Sequence, residues 1–133
     1  MSNSLELVTE CFATCAESLG DITPQVFERF FAHSGDAASL MQHSDEYMRG
    51  RMMEQTLELL MSDEHFGEDG YLAWELDNHL HAYQATPAMY GAFFAAIGEV
   101  LEHGTGAQWN AVYREAWDHR VDLIMQQVYA HDV

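Results

Sequence analysis

Two histidines, His79 and His81, are the residues of this sequence most suited to metal chemistry. His79 follows Leu76 by three positions and Leu72 by seven, so it falls on the apolar stripe of a predicted helix. His81 lies two positions further on, about 160° around that helix and towards its polar side. A buried imidazole either ligates a metal or is hydrogen-bonded in the core, and the second role is the more frequent. We therefore treat His79 as the first candidate ligand and keep His81 as the alternative.

The sequence lacks the common motifs for a metal held by protein side chains alone. No Glu or Asp precedes a His by three positions, as ferritin-type di-iron sites require, and there is no His-Glu-x-x-His motif. One pair with another spacing, His65 and Asp69, lies in a glycine-rich loop. Cys11 and Cys15 share a helix face and are interpreted as small buried side chains. The remaining histidines are interpreted as surface residues: His33, His43, His103, His119 and His131.

Helical periodicity predicts an all-α chain of six or seven helices in one domain over residues 1–133. The predicted helices lie at about 3–19, 23–33, 36–42, 44–61, 71–83, 86–104 and 107–130. Thr23-Pro24 and Thr86-Pro87 each combine a capping residue with a proline in the first turn. The helix over 44–61 is rich in methionine, and the helix over 71–83 carries both histidines. These helices have to position the candidate ligand and the residues that lie opposite it.

The composition describes an acidic protein with a substantial core. Apolar residues make up 48% of the chain and aromatic residues 12%, and the formal net charge is −17 with five Arg and no Lys. A surface with this much negative charge disfavours binding to nucleic acid and to anionic membranes, because both bind basic patches. The same charge favours a monomer or small homo-oligomer. The N-terminus does not resemble a signal peptide. We therefore expect a cytoplasmic protein.

The order of these features resembles the globin family, particularly bacterial single-domain globins and the globin domain of flavohaemoglobins. Residues 22–33 (ITPQVFERFFAH) look like the family's second helix and its exit. Residues 76–94 look like the proximal helix, its corner and the start of the next helix, and residues 104–117 are similar to the last corner and the final helix. The resemblance implies a globin-like fold around a pocket for haem b, with oxygen, nitric oxide or carbon monoxide as ligands.

The resemblance also assigns roles to residues. His79 matches the proximal iron ligand, and His81 competes because the spacing to the following aromatic Tyr90 is longer than usual in the family. Phe27 stands where many bacterial globins have a tyrosine, and Arg49 stands where the family often has His or Gln. Turned inward, Arg49 would be the distal donor; turned outward, it or Arg51 would pair with a haem propionate. Besides Arg49, the predicted wall residues are Phe27, Met41, Met53, Leu57, Leu76, Leu80, Tyr90, Phe94 and Ile97.

These roles imply reversible binding of diatomic gases, with oxygen held weakly unless Arg49 donates to it. No flavin or nicotinamide fingerprint is present, so a nitric oxide dioxygenase activity would need a separate reductase as partner. Whether the chain is an enzyme therefore stays open. The alternative is a haem-free globin-fold protein with an interaction or regulatory role. The surroundings of His79 distinguish the two, because a ligand faces a cavity and a structural histidine is packed and hydrogen-bonded.

Overall fold

The computed structural model describes residues 4–61 and 86–131, and these ranges are helical without any β-strand. The helices are α1 (Ser4–Leu19), α2 (Thr23–His33), α3 (Gly35–Leu40), α4 (Glu46–Leu60), α5 (Pro87–Thr105) and α6 (Ala111–His131), with a 3-10 turn at Gly106–Gln108. The predicted all-α class is therefore confirmed. The predicted helix over 71–83, with His79 and His81, lies outside the described residues. In the described ranges, no helix combines the length and apolar character that crossing a membrane requires.

Side-chain caps explain where several helices begin. Thr86 Oγ1 accepts a hydrogen bond from the backbone N–H of Met89 (3.2 Å), as its cap-plus-proline motif predicts. The same prediction was wrong for Thr23, which is the first residue of α2 rather than its cap. There, Asp21 Oδ1 accepts from the N–H of Thr23 (3.0 Å), and this bond lowers the pKa of Asp21.

The helices pack around one core. Helix α1 contacts α5 and α6, helix α2 contacts α5, and α4 contacts both α2 and α6. An edge-on aromatic pair, Phe12 with Trp117, joins α1 to α6 at a ring-centroid distance of 6.3 Å. Every helix from α1 to α5 contributes at least one buried apolar side chain, and α6 contributes Ala116, Trp117, Ile124 and Val128. The described helices therefore share a single hydrophobic core.

Both cysteines belong to this core, as the sequence predicts. Cys11 and Cys15 are free and buried, and burial raises the pKa of the Cys11 thiol to about 11, so it is not a thiolate at neutral pH. The Cys15 thiol donates to the carbonyl of Leu101 (3.7 Å). Gly104 permits this close approach, because a Cβ there would lie 2.5 Å from Cys15 Sγ and 2.9 Å from Leu19 Cδ1.

Two glycines of α5 should therefore respond oppositely to alanine. Gly104→Ala should lower the free energy of unfolding by about 1–3 kcal/mol, since α1 would have to move away from α5. Gly91→Ala adds a methyl group that meets no atom of the described residues within 4 Å and should stabilise the helix by up to about 1 kcal/mol. Urea denaturation of both variants measures the difference. Equal effects would contradict the packing of α1 on α5.

Candidate functional site

The predicted wall residues that the structure describes share the common core. Phe27, Met53, Phe94 and Ile97 are between 0% and 3% exposed. Three others, Met41, Leu57 and Tyr90, are partly buried against the same core. Leu76, Leu80 and the two candidate ligands, His79 and His81, lie outside the described residues. The described apolar wall residues therefore come from α2, α4, α5 and Met41, the residue that follows α3.

An aromatic cluster joins α2 to α5 at this place. The ring of Phe93 lies 4.9 Å from that of Phe30 and 5.4 Å from that of Phe27. Phe31 adds a further contact, with its ring 5.8 Å from that of Phe27. Phe93 is not among the wall residues that the sequence predicts. Its neighbour Phe94, which was predicted as a wall residue, lies 6.4 Å away from it between ring centroids.

Arg49 turns towards this cluster. Its guanidinium carbon lies 5.0 Å from the ring centroid of Phe31 and 5.7 Å from that of Phe27, a cation–π arrangement worth roughly 0.5–2 kcal/mol. Its Nε donates to Ser44 Oγ (2.9 Å), and that hydroxyl donates in turn to the carbonyl of Met41 (2.7 Å). The Arg49 side chain is half-buried in this position. Helix α4 thus holds a cation beside Phe27.

A second arginine, Arg120 of α6, is 2% exposed and anchors the end of α4. Its Nε donates to the carbonyl of Leu60 (3.0 Å) and its Nη2 donates to that of Leu59 (3.2 Å). A cation is favourable there because the last carbonyls of a helix lack intrahelical donors. Sequence reasoning gave Arg120 no role. Its spacing from Trp117 and Ile124, three and four residues, does place it on the buried stripe of α6.

Glu99 links α5 to α2 at the edge of the core. Its carboxylate lies 3.2 Å from Arg29 Nη1 and 2.6 Å from His33 Nε2. Desolvation alone would raise the pKa of Glu99, but the hydrogen bonds from His33 and Arg29 outweigh it and lower that pKa. All three side chains are more than a third exposed, so solvent screening keeps the pairs weak. His33, predicted as a surface residue, takes part in this contact.

A partly open cavity of about 340 Å³ lies between α5 and α6. Its apolar lining includes Gly91, Phe94, Ala95, Trp109 and Trp117. Of the predicted wall residues that the structure describes, Phe94 is the one that lines it.

Among residues 4–61 and 86–131, no group of three His, Cys, Asp or Glu side chains is arranged to hold a metal ion.

No protein-family model, curated protein or solved structure matches this chain. A functional assignment consequently depends on the placement and chemistry of the residues described above.

Proposed function

We propose that this chain is a haem-binding globin that reversibly binds small diatomic gases, with His79 as the axial ligand and His81 as the alternative. The observation that carries the proposal is the arrangement around Phe27. Apolar predicted wall residues from α2, α4 and α5 belong to one core, and one cation, Arg49, lies over the aromatic rings of Phe27 and Phe31.

The positions of the helices support the proposal. The segment that resembles the second globin helix, residues 22–33, coincides with α2. The segment that resembles the last corner and final helix, residues 104–117, contains the 3-10 turn and the start of α6. The sequence alone predicts both segments.

The described residues fit haem b by their chemical type. A porphyrin is a flat apolar group with polar propionates at one edge, and its protein pocket supplies a dry surface with few polar groups. Phe27, Met53, Phe94 and Ile97 supply buried apolar surface, and Met41, Leu57 and Tyr90 are partly buried beside it. When bound, haem would supply an iron that takes diatomic gases as ligands. His79 would hold that iron.

The residues near Phe27 would determine which gas is favoured. A phenyl group cannot donate a hydrogen bond, so Phe27 excludes water without stabilising a polar ligand. Arg49 donates from Nε to Ser44 and, among the described residues, uses neither Nη group for a hydrogen bond. The guanidinium would therefore be the donor that distinguishes oxygen from carbon monoxide. A nitric oxide dioxygenase cycle on this scaffold would take its electrons from a separate reductase.

Titration of the purified protein with hemin tests the proposal. The expected result is a sharp Soret band that saturates at one hemin per chain, with a further shift when carbon monoxide is added to the reduced protein. The broad spectrum of unbound hemin at every ratio would contradict it. Far-UV circular dichroism of the same sample shows whether the chain is folded during the titration.

One observation favours the second candidate, a haem-free globin-fold interaction protein. Among the described residues, the cavity between α5 and α6 contains Phe94 as its one predicted wall residue. An interaction protein would use this cavity and leave hemin unbound. The hemin titration therefore separates the two candidates.

A further inference from the structure

The cavity between α5 and α6 has a floor of small and aromatic residues, and we refer to it as the α5–α6 groove. Gly91, Ala95 and Gly98 lie at helical spacing along α5 and line it. Among the described residues, a Cβ on Gly91 would meet nothing within 4 Å, whereas one on Gly98 would lie 2.8 Å from Trp117 Nε1. Gly98 thus lets Trp117 pack on α5, and Gly91 leaves the groove open.

Carboxylates border the groove on both helices. Glu102 of α5 and Asp118 of α6 line it, and exposed Glu115 and Asp122 continue the stripe of Asp118 along α6. The cation on the groove, Arg114, approaches Glu102 Oε2 only to 4.0 Å, with both side chains more than half exposed. Such a contact neutralises Glu102 weakly. The borders of the groove are therefore predominantly negative.

Glu99 also lines the groove, but its carboxylate already contacts Arg29 and His33. We do not count it among the carboxylates available to a partner. The remaining acidic border still carries more charge than Arg114 offsets, and it belongs to a chain with a formal charge of −17.

We infer that the α5–α6 groove binds a cationic amphipathic helix of another protein, with the apolar stripe of that helix against the floor and its Lys or Arg side chains at the acidic borders. This inference is independent of haem binding. The lining positions from Gly91 to Glu102 extend over about 16 Å of α5, or about three helical turns. Helix-in-groove recognition uses anchors over this length, and small floor residues let a helix backbone come close.

The negative charge of the groove favours a cationic helix as its occupant over a second copy of the chain. Pairing two copies through the same groove would bring acidic borders together on molecules that each carry −17, and like charges at an interface oppose association. A basic helix meets the same borders with opposite charges. Its association should accordingly weaken as salt increases.

Two rhodamine-labelled peptides of about 16 residues, one built from Leu and Lys and one from Leu and Glu, test the inference. Fluorescence anisotropy at about 0.15 M salt should show saturable binding of the Leu–Lys peptide and none of the Leu–Glu peptide. Ala95→Trp fills the floor from an exposed position and should weaken binding about tenfold or more. Ala130→Trp, at an exposed position of α6 that does not line the groove, should leave the affinity unchanged.

A pair of double variants distinguishes local from overall charge. Glu102→Gln with Asp118→Asn should weaken binding about fivefold, whereas Glu54→Gln with Glu58→Gln on α4 removes equal charge and should weaken it less than about twofold. Equal losses in the two variants, or unchanged binding in Ala95→Trp, would overturn the inference. Sedimentation velocity of the protein alone adds a further criterion, since a dimer lost in Ala95→Trp would show that a second copy occupies the groove. If Ala95→Trp fails to fold, the two charge variants still test whether the acidic borders of the groove bind the peptide.

Discussion

Replacing Arg120 with methionine is expected to lower the free energy of unfolding by about 3 kcal/mol. Methionine retains part of the apolar stem but has no donor for the carbonyls of Leu59 and Leu60, which accept from Nη2 and Nε of Arg120. The end of α4 would then lose its attachment to α6. Arg120→Lys should recover only part of the loss, because one ammonium cannot reproduce the forked geometry of a guanidinium.

Urea denaturation of the haem-free protein measures this effect without a contribution from ligand binding. Arg114→Met is the matched control, since Arg114 lies on the same helix, is 62% exposed and should change stability by less than about 0.5 kcal/mol. Similar losses in Arg120→Met and Arg114→Met would contradict the assigned role of the buried guanidinium.

In the haem-loaded protein, Arg49→Met is expected to raise the rate of oxygen dissociation about tenfold or more and to change carbon monoxide binding little. The guanidinium lies beside Phe27, which has no donor of its own. A hydrogen bond from a charged donor is worth about 1.5–3 kcal/mol, and oxygen accepts it better than the less polar carbon monoxide does. Flash photolysis and stopped-flow mixing measure both gases on the same variant.

Arg114→Met is the control for this prediction. Arg114 lies on α6 and its side chain is 62% exposed. The variant should leave oxygen dissociation unchanged. An Arg49→Met protein that releases oxygen at the original rate would show that the guanidinium does not serve as the donor.

Helix content and most helix boundaries follow from local signals that the sequence displays. Apolar spacing predicts α1, α2, α4, α5 and α6, and the Thr86-Pro87 signal correctly predicts the start of α5. Thr23-Pro24 is the same signal with a different outcome, since Ile22 occupies the cap position of α2 and no side chain at that position caps the helix. Local chemistry thus predicts that a helix starts there, but not which residue occupies the cap position.

The directions of long side chains depend on tertiary contacts, which the local sequence does not specify. Arg49 could turn inward or outward on phase alone, and its direction depends on Phe31, Phe27 and Ser44 around it. Arg120 lies on an apolar stripe, yet its role depends on where α4 ends. The α5–α6 groove depends on the distance between α5 and α6. The small residues permit a close approach of the two helices but do not specify that distance. Contacts of this kind become visible only in the folded chain.

The most direct test of haem binding through His79 is the absorption spectrum of hemin-loaded protein in three variants: His79→Ala, His81→Ala and His119→Ala. His119 is exposed on α6 and serves as the control. We expect a Soret band in His81→Ala and His119→Ala, and its loss in His79→Ala, with restoration when imidazole is added. Loss in His81→Ala alone would transfer the ligand role to His81. A Soret band that survives in all three variants, or that is absent from the original protein, would contradict the account.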